Sequence, residues 1–120
     1  MKKGKSLLII DDDAEFSEEL ADILRDEGYS VQIAADGCAG EKLLAQRRFN
    51  VVLLDYKMPG QSGVELLKKS AKHLSQSKVF FTSGRPFADQ ILKKQGLDAL
   101  ISGVFVKPFD IEQMLLQIGR

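Results

Sequence analysis

The sequence predicts a doubly wound α/β domain: one sheet of five parallel strands alternating with five helices, in three layers. Three observations carry that expectation. Four strand-sized apolar runs, at 7–10, 51–54, 79–81 and 104–106, are separated by stretches with helical three-and-four spacing. Such alternation, joined by right-handed crossovers, covers a parallel sheet on both faces. Each run also ends in polar or charged residues: Asp11-Asp12-Asp13, Asp55, Thr82-Ser83 and Lys107-Pro108. Parallel strands gather those ends on one edge, where open α/β sheets hold their ligands.

The first strand covers 6–10 and runs into the three aspartates. An amphipathic helix follows, with Phe16, Leu20, Ile23, Leu24 and Glu27 on one stripe and Gly28 as its stop. The aspartates lie at its N-terminus, where the helix dipole favours negative charge. Residues 30–35 alternate Val31 and Ile33 with Gln32, the pattern of a peripheral strand. Asp36-Gly37 reads as a turn, and a helix through Ala39, Leu43 and Leu44 ends near Arg47-Arg48. The strand 51–54 delivers Asp55 to a loop closed by Pro59-Gly60. Ser62 or Gly63 opens the third helix, with Val64, Leu67, Ala71 and Leu74 as its buried stripe.

The fourth strand is 78–81. Gly84-Arg85-Pro86 breaks the chain before a helix carrying Phe87, Ile91 and Leu92. That helix ends either at Gly96 or, through Leu97, Leu100 and Ile101, at Ser102-Gly103. The fifth strand is 104–106. Asp110 caps a last helix that buries Ile111, Met114, Leu115 and Ile118. Phe16, Phe80 and Phe81 read as core, and Arg47-Arg48 and Lys68-Lys69 as solvated helix faces.

Composition narrows the function. The 120 residues make one domain, 1–120, with no repeat or internal linker. Lys plus Arg and Asp plus Glu both number 17, so the balance points to neither a nucleic-acid nor a membrane partner. Every apolar run is too short to span a bilayer. The basic start, Met1-Lys2-Lys3-Gly4-Lys5, meets Asp11 too soon for a signal peptide. Cys38 stands alone, which fits a reducing compartment, the cytoplasm.

The edge carries the chemistry. Asp11, Asp12 and Asp55 bring up to three carboxylates together, and like charges in a cleft raise one another's pKa unless a cation intervenes. Oxygen ligands alone favour a hard cation such as Mg²⁺; His73, in a helix, does not join them, so zinc is disfavoured. Two metal charges and the Lys107 ammonium balance three carboxylates. An arriving phosphoryl group would find both cations in place, with Asp55 as nucleophile. Thr82 can donate its hydroxyl to one phosphoryl oxygen and Lys107 its ammonium to another. The added charge can draw the Thr82 loop inward, which makes the site a switch. Each motif alone also fits ordinary helix capping or a turn; four on four strand ends make a site.

These residues resemble the receiver domain of bacterial two-component response regulators. The motifs are Ile-Ile-Asp-Asp-Asp at 9–13, Leu-Leu-Asp-Tyr-Lys-Met-Pro-Gly at 53–60, Phe-Phe-Thr-Ser-Gly at 80–84 and Val-Lys-Pro-Phe at 106–109. The likeness covers essentially the whole chain. It implies a flavodoxin-like sheet in the order 2-1-3-4-5. It makes Asp55 the phosphoacceptor and Asp11 and Asp12 the acidic pair on Mg²⁺, with the Lys57 carbonyl a further ligand. Thr82 and Lys107 take the hydroxyl and lysine roles, and the bond before Pro108 is expected cis. The donor would be a sensor histidine kinase or a histidine phosphotransfer protein.

Two departures bear on output. Receivers usually carry Tyr or Phe three residues before the lysine; here Val104 holds that position, and strand alternation points Phe105 to the opposite face. The interval from Thr82 to Lys107 is also longer than usual, with 97–102 as the surplus. Both fall on the face of the fourth helix, fifth strand and fifth helix, so an atypical output surface is expected. Two rivals remain. Asp11 and Asp13 form an Asp-x-Asp after a strand, as in aspartate-nucleophile phosphatases of the haloacid-dehalogenase kind, though such enzymes carry a substrate-covering cap. A pseudo-receiver would keep the fold and dock partners without phosphorylation.

Overall fold

The computed structural model describes residues 4–84 and 88–119; the expectations for residues 1–3, Arg85-Pro86 and Phe87 lie outside them. Among the described residues the chain runs β1 (Ser6–Ile10), α1 (Ala14–Asp26), β2 (Ser30–Ala34), α2 (Gly37–Gln46), β3 (Val51–Asp55), α3 (Gly63–Lys69), β4 (Lys78–Ser83), α4 (Ala88–Lys94), β5 (Gly103–Val106) and α5 (Ile111–Ile118). The strands form one parallel sheet in the order β2-β1-β3-β4-β5.

Continuous apolar runs are what a sheet buried on both faces requires. Leu8, Ile10, Val52, Leu54, Val79 and Phe81 pack on one side with Leu44, Leu66, Leu67 and Leu92 of α2, α3 and α4. Leu7, Ile9, Leu53, Phe80 and Phe105 pack on the other with Leu20, Ala21 and Leu24 of α1 and Met114 and Ile118 of α5. Each fully buried Leu, Ile or Phe contributes about 2 kcal/mol of transfer free energy. The two clusters therefore clamp the sheet between helix layers.

Polar caps fix where the helices start. Asp13 accepts from the Phe16 N–H at 3.1 Å, and Asp36 from the Ala39 N–H at 2.8 Å. Ser62 and Glu65 form a reciprocal capping box on α3, and Asp110 accepts from the Glu112 N–H at 2.9 Å. Asp36 is thus a cap and Gly37 the first residue of α2, rather than a free-standing turn.

Several expectations are corrected. The buried stripe of α1 is Ser17, Leu20, Ala21 and Leu24, so Ile23 faces outward at 37% exposure and Phe16 is half-buried. Small Ser17 and Ala21 let the helix approach the sheet, which turns the larger neighbours away from it. Helix α3 stops at Lys69, followed by a single 3-10 turn at Ala71–His73; Leu66 joins Leu67 and Leu74 in the core, while Val64 packs against it half-buried and Ala71 is half-buried. Strand β4 continues through Thr82 and Ser83. Of the two ends expected for the fourth helix the structure takes the earlier: α4 stops at Lys94, just before Gly96, whose φ of +72° suits a residue without Cβ, and Asp98–Leu100 is a separate 3-10 turn. Arg47 is not purely solvated: its guanidinium lies over the Phe49 ring. In α5, Met114 and Ile118 are buried while Ile111 and Leu115 are half-buried.

Candidate functional site

Sheet register brings the polar strand ends together. Ile10 pairs with Leu54, Asp55 with Thr82 and Ser83 with Val106, so Asp11, Asp55 and Thr82 lie at one level of the C-terminal edge, with Lys107 two residues beyond it. The Tyr56 N–H donates to the Thr82 carbonyl at 2.9 Å and the Lys107 N–H to the Ser83 carbonyl at 2.6 Å, extending that register one step past β3 and β5. The Lys107-Pro108 bond is cis.

Asp11 is buried to 2% exposure, Asp55 to 8%, and Asp12 is exposed. One carboxylate oxygen from each of the three lies within 4.8 Å of the other two. Asp11 Oδ1 accepts from the Asp13 N–H at 2.9 Å, leaving Oδ2 to meet Lys107 Nζ at 2.9 Å. The same ammonium stands 3.9 Å from Asp55 Oδ1 and 4.5 Å from the centre of the Phe16 ring. Thr82 is buried beside Asp55, at 2% exposure.

The environment holds the Asp55 carboxyl well above its ordinary 3.8, at about 7. Burial is the main cause, and the charge of Asp11 adds to it. Lys107 and a hydrogen bond from the Lys57 backbone N–H pull the other way, and Asp12 raises it further. One ammonium therefore leaves the carboxylates under-compensated. The loop that carries Lys57 is held tightly. Gly60 takes φ +77°, and a Cβ on Gly63 would lie 2.2 Å from the Asp55 carbonyl oxygen. Only glycine lets α3 begin so close to the end of β3.

Three clustered oxygen donors without a nearby imidazole or thiolate fit a divalent cation of the hard kind. The raised carboxyl of Asp55 agrees, because it marks negative charge that a cation would relieve. The arrangement can hold a cation and a nucleophilic carboxylate, with an ammonium and a hydroxyl to receive an anionic group. Of the five residues singled out in the sequence, Asp11, Asp12, Asp55 and Lys107 bring their side chains together here, and buried Thr82 is the register partner of Asp55 on the next strand. Lys57 contributes its backbone N–H, while its side chain is exposed. The contact that sequence reasoning missed is Phe16 on Lys107. Helical spacing marked Phe16 as apolar but carried no information about a lysine ninety residues away.

The fold and site define a parallel α/β domain with an acidic pocket at the C-terminal edge of its sheet, and comparison with known proteins narrows the class. Residues 7–119 match the family model described as response regulator receiver domain. The chain belongs to that family, the phosphoacceptor switches of two-component signal transduction. It is 38% identical to the transcriptional regulatory protein YkoG of Bacillus subtilis over 98% of this chain and 50% of that protein. It is 32% identical to sporulation initiation phosphotransferase F of the same organism, over 92% of this chain and 88% of that one. Its fold is similar to that of a CheY-like response regulator receiver domain protein from Methanospirillum hungatei (TM-score 0.86, 30% identity, 96% of this chain and 90% of that one). The chain spans about half the length of the transcriptional regulators it matches. Receiver domains take their phosphoryl group from histidine kinases. No helix among the described residues is long and apolar enough to cross a membrane.

Proposed function

We propose that residues 1–120 form a single receiver domain in which Asp55 accepts a phosphoryl group from a sensor histidine kinase or a histidine phosphotransfer protein. The observation that carries this reading is the convergence of Asp11, Asp12 and Asp55 oxygens within 4.8 Å, with Lys107 Nζ 2.9 Å from one carboxylate and 3.9 Å from another. Mg²⁺ held by Asp11, Asp12, Asp55 and the Lys57 carbonyl would offset the carboxylate charge and bind a phosphoryl oxygen.

The chain's own groups do the rest. An ionised Asp55 oxygen attacks the phosphorus of phosphohistidine; the O–P bond forms as the P–N bond breaks. The imidazole nitrogen leaves with that electron pair and takes a proton from solvent. Lys107 moves from Asp11 Oδ2 onto a phosphoryl oxygen, and the Thr82 hydroxyl donates to another. The domain thus assists its own phosphorylation and dephosphorylation rather than turning over a substrate. The exposed single thiol Cys38 supports a reducing, cytoplasmic setting.

Output is read as atypical. Phe105 turns inward and stacks on Phe80 at 5.0 Å, while half-buried Val104 packs with the cluster under α2, α3 and α4. No aromatic side chain at 104 or 105 is therefore available to follow Thr82 toward α4. The partner or output domain that reads the switch meets a surface without that rotating ring. Acetyl phosphate with Mg²⁺, read by intact mass, tests the function. One phosphoryl group per chain, absent in Asp55→Asn, is expected. An unchanged mass in the wild type would leave a pseudo-receiver that docks partners unphosphorylated, and multiple turnover of a phosphomonoester would indicate a phosphatase.

A further inference from the structure

The Lys107 ammonium has two carboxylate neighbours and a third neighbour that is not ionic. Nζ stands 4.5 Å from the centre of the Phe16 ring, within the range where a ring face attracts an ammonium. The lysine side chain is only 26% exposed, so the contact is partly shielded from water. The ring is held from both ends. The Phe16 N–H is bonded by the Asp13 cap at 3.1 Å, which fixes the first turn of α1. The Phe16 and Phe109 rings meet in a T-shaped pair at 5.9 Å and 84°, and Phe109 in turn leans on Phe105 at 5.7 Å. Phe109 lies two residues after Lys107, so the lysine and the ring that supports its partner share one short segment.

We propose that Phe16 is a positioning residue that keeps the Lys107 ammonium aimed at the pocket when the carboxylates are engaged elsewhere. The idea rests on the reading that Lys107 receives a phosphoryl oxygen. A lysine stem has four rotatable bonds and a strongly hydrated head, so two carboxylate contacts alone hold it only while those oxygens are free. Asp11 Oδ2, its nearest contact, belongs to the oxygen cluster that a divalent cation would occupy. The Phe16 face cannot be taken by a cation on those oxygens, and it disfavours rotation of the ammonium into bulk water. The ring acts through Lys107 and touches no reacting atom.

Three variants, Phe16→Leu, Phe16→Tyr and Lys107→Ala, test it on the full chain with two readouts. The first is the NMR shift of the Lys107 ε-methylene protons in metal-free protein, which a ring face displaces upfield. The second is the initial rate of acyl phosphate formation on Asp55 with acetyl phosphate and Mg²⁺. Phe16→Leu keeps apolar bulk but removes the ring; the upfield displacement should vanish and the rate fall about fivefold. Phe16→Tyr restores a ring and should rescue both. If Phe16→Leu folds and leaves shift and rate at wild-type values, or if Phe16→Tyr fails to rescue either, the positioning role is overturned. Lys107→Ala separates the two readings. A wild-type rate in that variant would sink the phosphoryl role of the lysine itself, whereas a slow Lys107→Ala beside a normal Phe16→Leu would sink only the role of the ring.

Discussion

Asp55→Asn should stabilise the metal-free protein at neutral and alkaline pH, and the size of the effect follows from the raised carboxyl. Asp55 titrates at about 7 in the fold against 3.8 as an ordinary aspartate. Between those values the folded chain holds a proton that the unfolded chain has lost, so stability is full below pH 4 and falls as pH rises through 7. Three units at about 1.4 kcal/mol each set a ceiling of about 4 kcal/mol at pH 8. Water at the exposed rim of the carboxylate screens part of this, leaving about 2 kcal/mol. Asparagine keeps the shape and removes the charge. Thermal unfolding followed by circular dichroism in EDTA should show Asp55→Asn melting about 6–10 °C above wild type at pH 8. At pH 4.5 the gap should shrink to about a quarter of that. Millimolar Mg²⁺ at pH 8 should raise the wild type toward the variant. A gap equal at both pH values, or a variant that melts lower at pH 8, would refute the electrostatic reasoning.

Other perturbations reach the site from different sides. Gly63→Ala would place a Cβ 2.2 Å from the Asp55 carbonyl oxygen and 2.8 Å from the Phe81 ring. Chemical denaturation should report a loss of about 3 kcal/mol or more, with impaired labelling of Asp55. Lys107→Ala removes a charge that lowers the Asp55 carboxyl, so its titration, followed by carboxyl-carbon NMR, should move further above 7. The same variant should form acyl phosphate at least about tenfold more slowly. Asp13→Ala deletes the cap on the Phe16 N–H and should cost about 1 kcal/mol in urea unfolding.

Much of the frame was legible in the sequence because a parallel sheet announces itself. Leu7 to Ile10 and Val51 to Leu54 are apolar at every position, and only burial on both faces demands that. The switch from apolar to charged at Asp11, Asp55 and Lys107 marked the edge as well. What was illegible depends on how elements approach one another. The phase of α1 is set by small Ser17 and Ala21 against the sheet, which periodicity alone ranks below Phe16 and Ile23. The early end of α3 follows from its packing, with Leu66 inward and a 3-10 turn bringing Leu74 into the core, although its sequence spacing continues to Leu74. The demand on Gly63 comes from a carbonyl eight residues earlier in the chain, and nothing local signals it. Phe16 on Lys107 is the extreme case, a contact between the first helix and the residue that follows the last strand.

The central claim is that one pocket holds a cation and an anionic tetrahedral group on Asp55. Fluorine NMR of the full chain with beryllofluoride, a phosphoryl mimic, measures this most directly. A protein-bound fluoride signal that needs both Mg²⁺ and an intact Asp55, and that broadens when Mn²⁺ replaces Mg²⁺, is the predicted result. A bound signal that persists in Asp55→Asn, or none at saturating Mg²⁺ in the wild type, would contradict it.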